Sequence, residues 1–148
     1  MADVKNFLIV VNSGKDHPYN HYAAYVVAFL AKKLGHIEKV SIYYGPEGVA
    51  VTKKGELAKL DIQDSVKELI ASQVDDLNAS DLPANLEQLA RFEKNNLGVQ
   101  IYSCGTFHVI DGIGKSLDDL SNVEDFITPL RLPQAAEALL GADKIHYL

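Results

Sequence analysis

The sequence predicts an α/β fold, a three-layer α/β/α sandwich on a mostly parallel sheet of about five strands. Three observations carry that reading. The unbroken apolar run Phe7-Leu8-Ile9-Val10-Val11 has the character of a strand buried on both faces, as in a parallel sheet. Strand-like and helix-like segments alternate along the chain, the pattern of βαβ crossovers with helices on both sides of a sheet. The 148 residues contain no repeat, low-complexity tract or linker, so 1–148 reads as one domain, large enough to bury a core.

The first strand is expected over Lys5–Asn12, ended by the turn residues Asn12-Ser13-Gly14-Lys15-Asp16. A helix follows over about Tyr19–Leu34, where Ala23, Val26, Val27, Leu30 and Leu34 recur at helical spacing and Gly35 supplies a stop. Lys39–Tyr44 reads as the second strand, closed by Gly45-Pro46-Glu47-Gly48; Val49-Ala50-Val51 is too short to assign. Ser65-Val66-Lys67-Glu68 has capping-box spacing ahead of the stripe Val66, Leu69, Ile70 and Val74. Pro83 suits the first turn of a further helix, carried by Leu86, Leu89, Ala90 and Phe92 to about Asn96.

Gly98 breaks that helix, and Val99–Tyr102 is the third strand, running into Ser103-Cys104-Gly105-Thr106. A short helix is expected from Thr106 to Asp111, stopped near Gly112. Ser116–Thr128 is acidic and fits neither period. Pro133 opens a last helix through Ala135, Ala136, Leu139 and Leu140, and Lys144–Leu148 reads as a terminal strand.

Composition narrows the function classes. A formal net charge of −6 argues against nucleic acid, whose phosphates call for clustered Lys and Arg; the densest basic cluster is the pair Lys53-Lys54. No apolar run approaches a membrane span. Met1-Ala2-Asp3-Val4-Lys5 does not have the form of a secretory signal, and a single cysteine fits a reducing compartment, so a cytoplasmic location is expected.

Ligands of open α/β sheets bind beyond the carboxyl ends of the strands. Three segments should converge there: Ser13–Pro18, Tyr43–Val49 and Ser103–His108. Cys104 is the one strong nucleophile among them, at a strand end where a helix begins, and backbone N–H groups at a helix start favour a nearby anion. Gly105 permits close backbone approach and Thr106 can cap; Ser13, Gly14, His17 and Tyr43 stand at the mouth of the same region. His108 lies four residues past Cys104 and tunes its thiolate if the helix presents both to one side.

Other chemistries fit poorly. A phosphatase-type loop needs an arginine where Ile110 stands, and Phe107, His108 and Val109 offer none to a rhodanese-type loop. No C-x-x-C pair exists for dithiol redox work, so a peroxide-responsive role lacks its resolving thiol. Ser13-Gly14-Lys15-Asp16 lacks the upstream glycine and the hydroxyl of a P-loop. The five histidines show no metal spacing, and neither metal nor other cofactor is expected. Arg91 and Arg131 are cations that the sequence does not place near Cys104.

Several stretches taken together resemble the DsrE/DsrF-like family, which includes the TusD-type sulfur-relay subunits. They are Asn12-Ser13-Gly14 ahead of Ala23-Ala24, then Tyr43-Tyr44-Gly45-Pro46-Glu47-Gly48-Val49 with Lys53-Lys54-Gly55, and Gly98-Val99-Gln100-Ile101-Tyr102-Ser103-Cys104-Gly105-Thr106 running on to Asp111-Gly112-Ile113. The resemblance implies a sulfurtransferase-type carrier that holds sulfane sulfur as a persulfide on Cys104, working in a homo-oligomer, a trimer or hexamer. Its partners would be sulfur donor and acceptor proteins or small sulfane-sulfur compounds. The chain departs from the family pattern at Phe107 and His108, where smaller or basic residues are expected. The competing reading is a non-catalytic oligomeric module binding a small anion at the same strand ends. An exposed sulfur at a helix start supports the first reading and a packed sulfur the second.

Overall fold

The computed structural model describes residues 3–148; residues 1 and 2 of the expected 1–148 domain lie outside the described residues. Five parallel strands form one sheet in the order β4-β3-β2-β1-β5: β1 (Asn6–Val11), β2 (Lys39–Tyr44), β3 (Gln100–Cys104), β4 (Thr128–Leu130) and β5 (Lys144–Tyr147). The helices are α1 (Pro18–Lys33), α2 (Asp64–Ala71), α3 (Leu86–Leu97), α4 (Gly105–Ile110) and α5 (Leu132–Leu140). None of them is long and apolar enough to cross a membrane, among the described residues.

The topology fixes which helix lies where. From β1 through β4 each strand is added on the same side of its predecessor, so right-handed crossovers put the intervening helices on one face. The last connection steps back across the sheet to β5, and the same handedness puts α5 on the other. Alternation along the strands agrees. Tyr44 faces α1, with its hydroxyl 2.6 Å from that of Tyr25 and its ring stacked on His21. Leu8, Ser41 and Tyr102, on the opposite face, share a cleft with Gln134, Glu137 and Ala138 of α5. The three-layer α/β/α arrangement expected from the sequence is what forms.

Several expectations need correction. Val49–Val51 belongs to a 3-10 helix, Gly48–Thr52. It starts at Gly48 because a Cβ there would lie 2.1 Å from the Val11 carbonyl oxygen, so only glycine lets this turn sit on the end of β1. On α1 the buried face is His21, Ala24, Tyr25, Ala28 and Ala31, rotated from the expected stripe, and Leu34 is exposed. Alanines let the helix approach the sheet, while the larger Val26 and Leu30 turn sideways towards α2 and α3. The capping box at Ser65 does not form; α2 starts behind Gln63 and buries no residue. On α3 the helix begins at Leu86, behind Asn85, whose Oδ1 accepts from the Gln88 N–H at 3.0 Å, and the buried stripe includes Glu93 where Phe92 was expected. Gly98 ends it at φ 71°, in the left-handed region. In α5, Ala135 is buried and Leu140 points to solvent. Strand β4 comes from a segment in which the sequence gives no strand signal.

Candidate functional site

Where two neighbouring strands send their chains to opposite faces, a crevice opens at their carboxyl ends. Here that place lies between β3 and β4. After β3 the chain turns into α4, whose His108 lies on the Tyr44 face bonded to Ser103; after β4 it turns into α5 on the other face. Cys104 is the last residue of β3, paired in register with Leu130, the last residue of β4.

Cys104 is the N-cap of α4, but its side chain makes no capping hydrogen bond, so the helix does not engage the sulfur. By strand alternation the thiol shares a face with Tyr102, and with Tyr43 of β2, the register partner of Tyr102. No hydrogen bond of standard geometry joins Tyr43 to the thiol, yet the two interact. The Tyr43 pKa is raised, first by burial and then by the neighbouring Cys104 as hydrogen-bond acceptor and negative charge. The Tyr43 hydroxyl therefore stays protonated and remains a donor. Gly105 holds the crevice closed: a Cβ there would meet the Leu130 carbonyl oxygen at 2.9 Å. The sulfur-bearing residue is only 6% exposed.

The other expected residues are distributed around this point. Thr106 is half-buried in the first turn of α4. His108 does not turn to the thiol: its Nε2 lies 2.6 Å from Ser103 Oγ, because the helix points it to the face opposite Cys104. Burial lowers its pKa, keeping the ring neutral. Ser13 and Gly14 sit at the end of β1, where Ser13 Oγ accepts from Asn20 at 2.7 Å and the Gly14 carbonyl lies 3.0 Å from His21 Nε2. This loop touches the β2 loop, since the position of a Gly14 Cβ lies 3.8 Å from the Glu47 carbonyl oxygen. His17 is exposed at the start of α1, with Nε2 3.7 Å from Asp16. The structure thus groups Cys104, Tyr43 and Gly105, and leaves Ser13, Gly14 and His17 at the end of β1.

Arg131 is the cation that the topology brings in. It directly follows Leu130, the strand partner of Cys104, and its guanidinium donates to Asp118 at 2.6 Å. Arg91 is engaged elsewhere, on Asp125 at 2.9 Å and over the Phe126 ring. No group of three or more His, Cys, Asp or Glu side chains converges as a metal site would need, among the described residues.

Sequence reasoning missed a second cluster, on the opposite face. His21, Tyr25, Tyr44 and Glu93 are all fully buried, and neither carboxyl oxygen of Glu93 has a hydrogen-bond partner. The signal was present in the spacing Leu86, Leu89, Ala90, Glu93, which puts an acid at the fourth position of an apolar stripe. Nearby, Glu124 is raised to about 7 by burial and by the neighbouring Glu87 carboxyl, although Glu124 Oε2 has no hydrogen-bond partner.

No family model matches the sequence, and no curated protein does. Among solved structures, the chain is similar to the crystal structure of the YchN protein from E. coli, with a TM-score of 0.63 at 14% identity, over 97% of this chain and 99% of that one. YchN has the DsrE/DsrF-like fold, so the likeness is one of fold.

Proposed function

We propose that this chain carries sulfane sulfur as a persulfide on Cys104. The observation that supports the reading best is the placement of the thiol. It ends β3 beside β4, at the crevice where the chain leaves to opposite faces, with its sulfur unused by α4 and the Tyr43 hydroxyl beside it. The DsrE/DsrF-like fold is in keeping with that use.

The chemistry needs no metal or nucleotide. The Cys104 thiolate attacks the terminal sulfur of a donor persulfide; the S–S bond of the donor breaks and the donor leaves as a thiolate. Cys104 then holds a persulfide, whose anionic form Tyr43 can stabilise by donating its O–H. An acceptor thiolate takes the terminal sulfur and returns Cys104 to the thiolate. Donors and acceptors would be proteins or small sulfane-sulfur compounds. Arg131, once released from Asp118, offers positive charge to an anionic donor at the same crevice. Assembly as a homo-oligomer, a trimer or hexamer, belongs to the proposal; it would supply the neighbouring surface that a crevice this closed requires.

The 6% exposure of Cys104 favours a second reading, a non-catalytic oligomeric module binding a small anion at the same strand ends. Intact mass spectrometry after polysulfide treatment separates the two. The carrier gains the mass of one sulfur atom, reversibly on reduction, and Cys104→Ser does not. No adduct, together with slow alkylation of the thiol in the native assembly, rejects the carrier and leaves the binding module.

A further inference from the structure

The chain leaves the two strands of the Cys104 crevice through Gly105, after β3, and Arg131, after β4. Two consecutive residues of the loop between α4 and β4 reach both. Leu117 Cδ2 lies 3.7 Å from the position of a Gly105 Cβ, and Asp118 Oδ1 accepts from the Arg131 guanidinium at 2.6 Å. Leu117 and Asp118 therefore bridge the crevice from its β3 side to its β4 side, at the end where Cys104 pairs with Leu130.

The loop is built as one piece on a fixed neck. Inside it, Asp119 Oδ2 accepts from the Lys115 N–H at 2.9 Å and Oδ1 from the Ser121 hydroxyl at 2.6 Å. Asn122 Nδ2 donates to the Ile113 carbonyl at 3.1 Å and closes the neck. Ile113 and Gly114 on one side of the neck, and Val123 and Glu124 on the other, are buried, whereas residues 115–118 and Leu120 are exposed. The ion pair to Arg131 is open to water, with the Asp118 side chain 86% exposed. Such a pair holds weakly and exchanges its partner readily.

We propose that residues 115–121 form a lid over Cys104, latched by Asp118 on Arg131 and released when an anionic donor takes the guanidinium in its place. The proposal rests on the sulfur-carrier reading and names the charge class of its donor. It also accounts for a thiol that ends a strand and is nearly closed to water. A guanidinium keeps its charge and its fork matches a carboxylate, so near neutral pH the latch switches by exchange of anions.

Alkylation of the native full chain tests the lid, because it reads access to the thiol without any sulfur transfer. Iodoacetamide is the neutral probe, and iodoacetate is the anionic one with the same leaving group. Asp118→Asn and Arg131→Gln each break the latch at an exposed position and should speed iodoacetamide by about two- to fivefold, the range an exposed ion pair spans. Leu117→Ala, which opens the β3 side, should speed it as well. Iodoacetate should gain more than iodoacetamide in Asp118→Asn, where the guanidinium is free, and less in Arg131→Gln, where it is gone. A change in thiol charge alone would move the two latch variants in opposite directions, since one frees a positive charge at the crevice and the other removes it. Opposite directions, or iodoacetamide rates equal to the wild-type rate, overturn the lid. An iodoacetate-to-iodoacetamide ratio equal in Asp118→Asn and Arg131→Gln overturns release by anions. Should Leu117→Ala fail to fold, the two latch variants decide. Faster alkylation of the variants, with no sulfur adduct on the wild-type chain, keeps the lid and rejects the carrier in favour of the anion-binding module.

Discussion

The two faces of the sheet are covered by unequal means. On the Tyr44 face, α1 and α3 lie close, bringing Tyr25, Leu86 and Ala90 to zero exposure and taking His21 and Glu93 under with them. On the Tyr43 face, α5 contributes one buried residue, Ala135, while Leu132 and Leu140 stay 65% and 87% exposed. A cleft of about 330 Å³ remains there between α5 and Asn6, Ser41 and Tyr102. Apolar burial, and with it stability, is therefore concentrated on one face. The thiol is on the other. A lightly covered face can meet a partner without dismantling the core, whereas a densely packed one can hold polar groups in arrangements that water would otherwise relax.

Core truncations on the two faces give the largest difference. Leu86→Ala removes a fully buried side chain of α3 and should destabilise by about 2–5 kcal/mol. Leu132→Ala, at an exposed position of α5, should change the stability of the isolated chain by less than about 0.5 kcal/mol. Urea midpoints of the two variants check this. Equal losses would mean that the α5 face is as well packed as the other, and the contrast would fall.

Glu93 should give an effect of opposite sign. Replacing an unpartnered buried carboxyl by an aliphatic group of similar size removes a penalty of about 1–3 kcal/mol. Glu93→Leu should therefore raise the urea midpoint, which few core substitutions do. A fall instead would show that the acid is satisfied within the fold and that the face tolerates no exchange at that position.

The contrast between the faces was only partly legible in the sequence. Strands β1, β2 and β3 were readable because their apolar residues are bounded by turn residues, β5 was expected over Lys144–Leu148, and Pro133 and Gly98 marked helix ends. The position of the thiol was legible in outline, since Cys104 closes a readable strand and Gly105 follows it. Strand β4 was not legible: it has three residues, Thr128-Pro129-Leu130, too few for a period, and a proline argues against a strand. Without it the sequence could not place Arg131 beside the Cys104 crevice. The covered face is hidden from the pattern for a different reason. Helical spacing points to the large apolar residues as the buried stripe, but α1 turns its alanines inward to come close to the sheet. Glu93 is hard to see because an acid in a helix reads as solvent-facing unless its place in the stripe is counted.

A smaller effect of the same buried chemistry is a pH dependence. Burial, and then the neighbouring Glu87 carboxyl, raises the Glu124 pKa from 4.5 to about 7. The folded chain therefore binds a proton that the unfolded chain has lost, and stability falls as pH rises between those values. The lowered pKa values of His21 and His108 act in the other direction, with stability lost as pH drops below 6.5. Denaturation curves at pH 5 and pH 8 should show Glu124→Gln losing on the order of 1 kcal/mol of the wild-type pH sensitivity. An unchanged profile would mean that Glu124 is ionised in the fold, with Arg91 rather than Glu87 governing its state.

The smallest expected effect tests whether the lightly covered face is tuned for chemistry or only thinly packed. Tyr43 sits beside Cys104, and the thiol itself contributes to holding the tyrosine hydroxyl protonated. The Tyr43 O–H is in turn a donor placed beside the sulfur. Tyr43→Phe keeps the ring and the packing and removes only the donor. A hydrogen bond to a charged group contributes about 1.5–3 kcal/mol when fully formed, and one without standard geometry contributes less. Alkylation of Cys104 at neutral pH should therefore slow by only a few-fold, with the urea midpoint nearly unchanged. Faster alkylation would point to altered access to the sulfur. No change at all would show that the hydroxyl and the thiol are neighbours by packing alone, and the Tyr43 face would then differ from the Tyr44 face only in how much of it is covered.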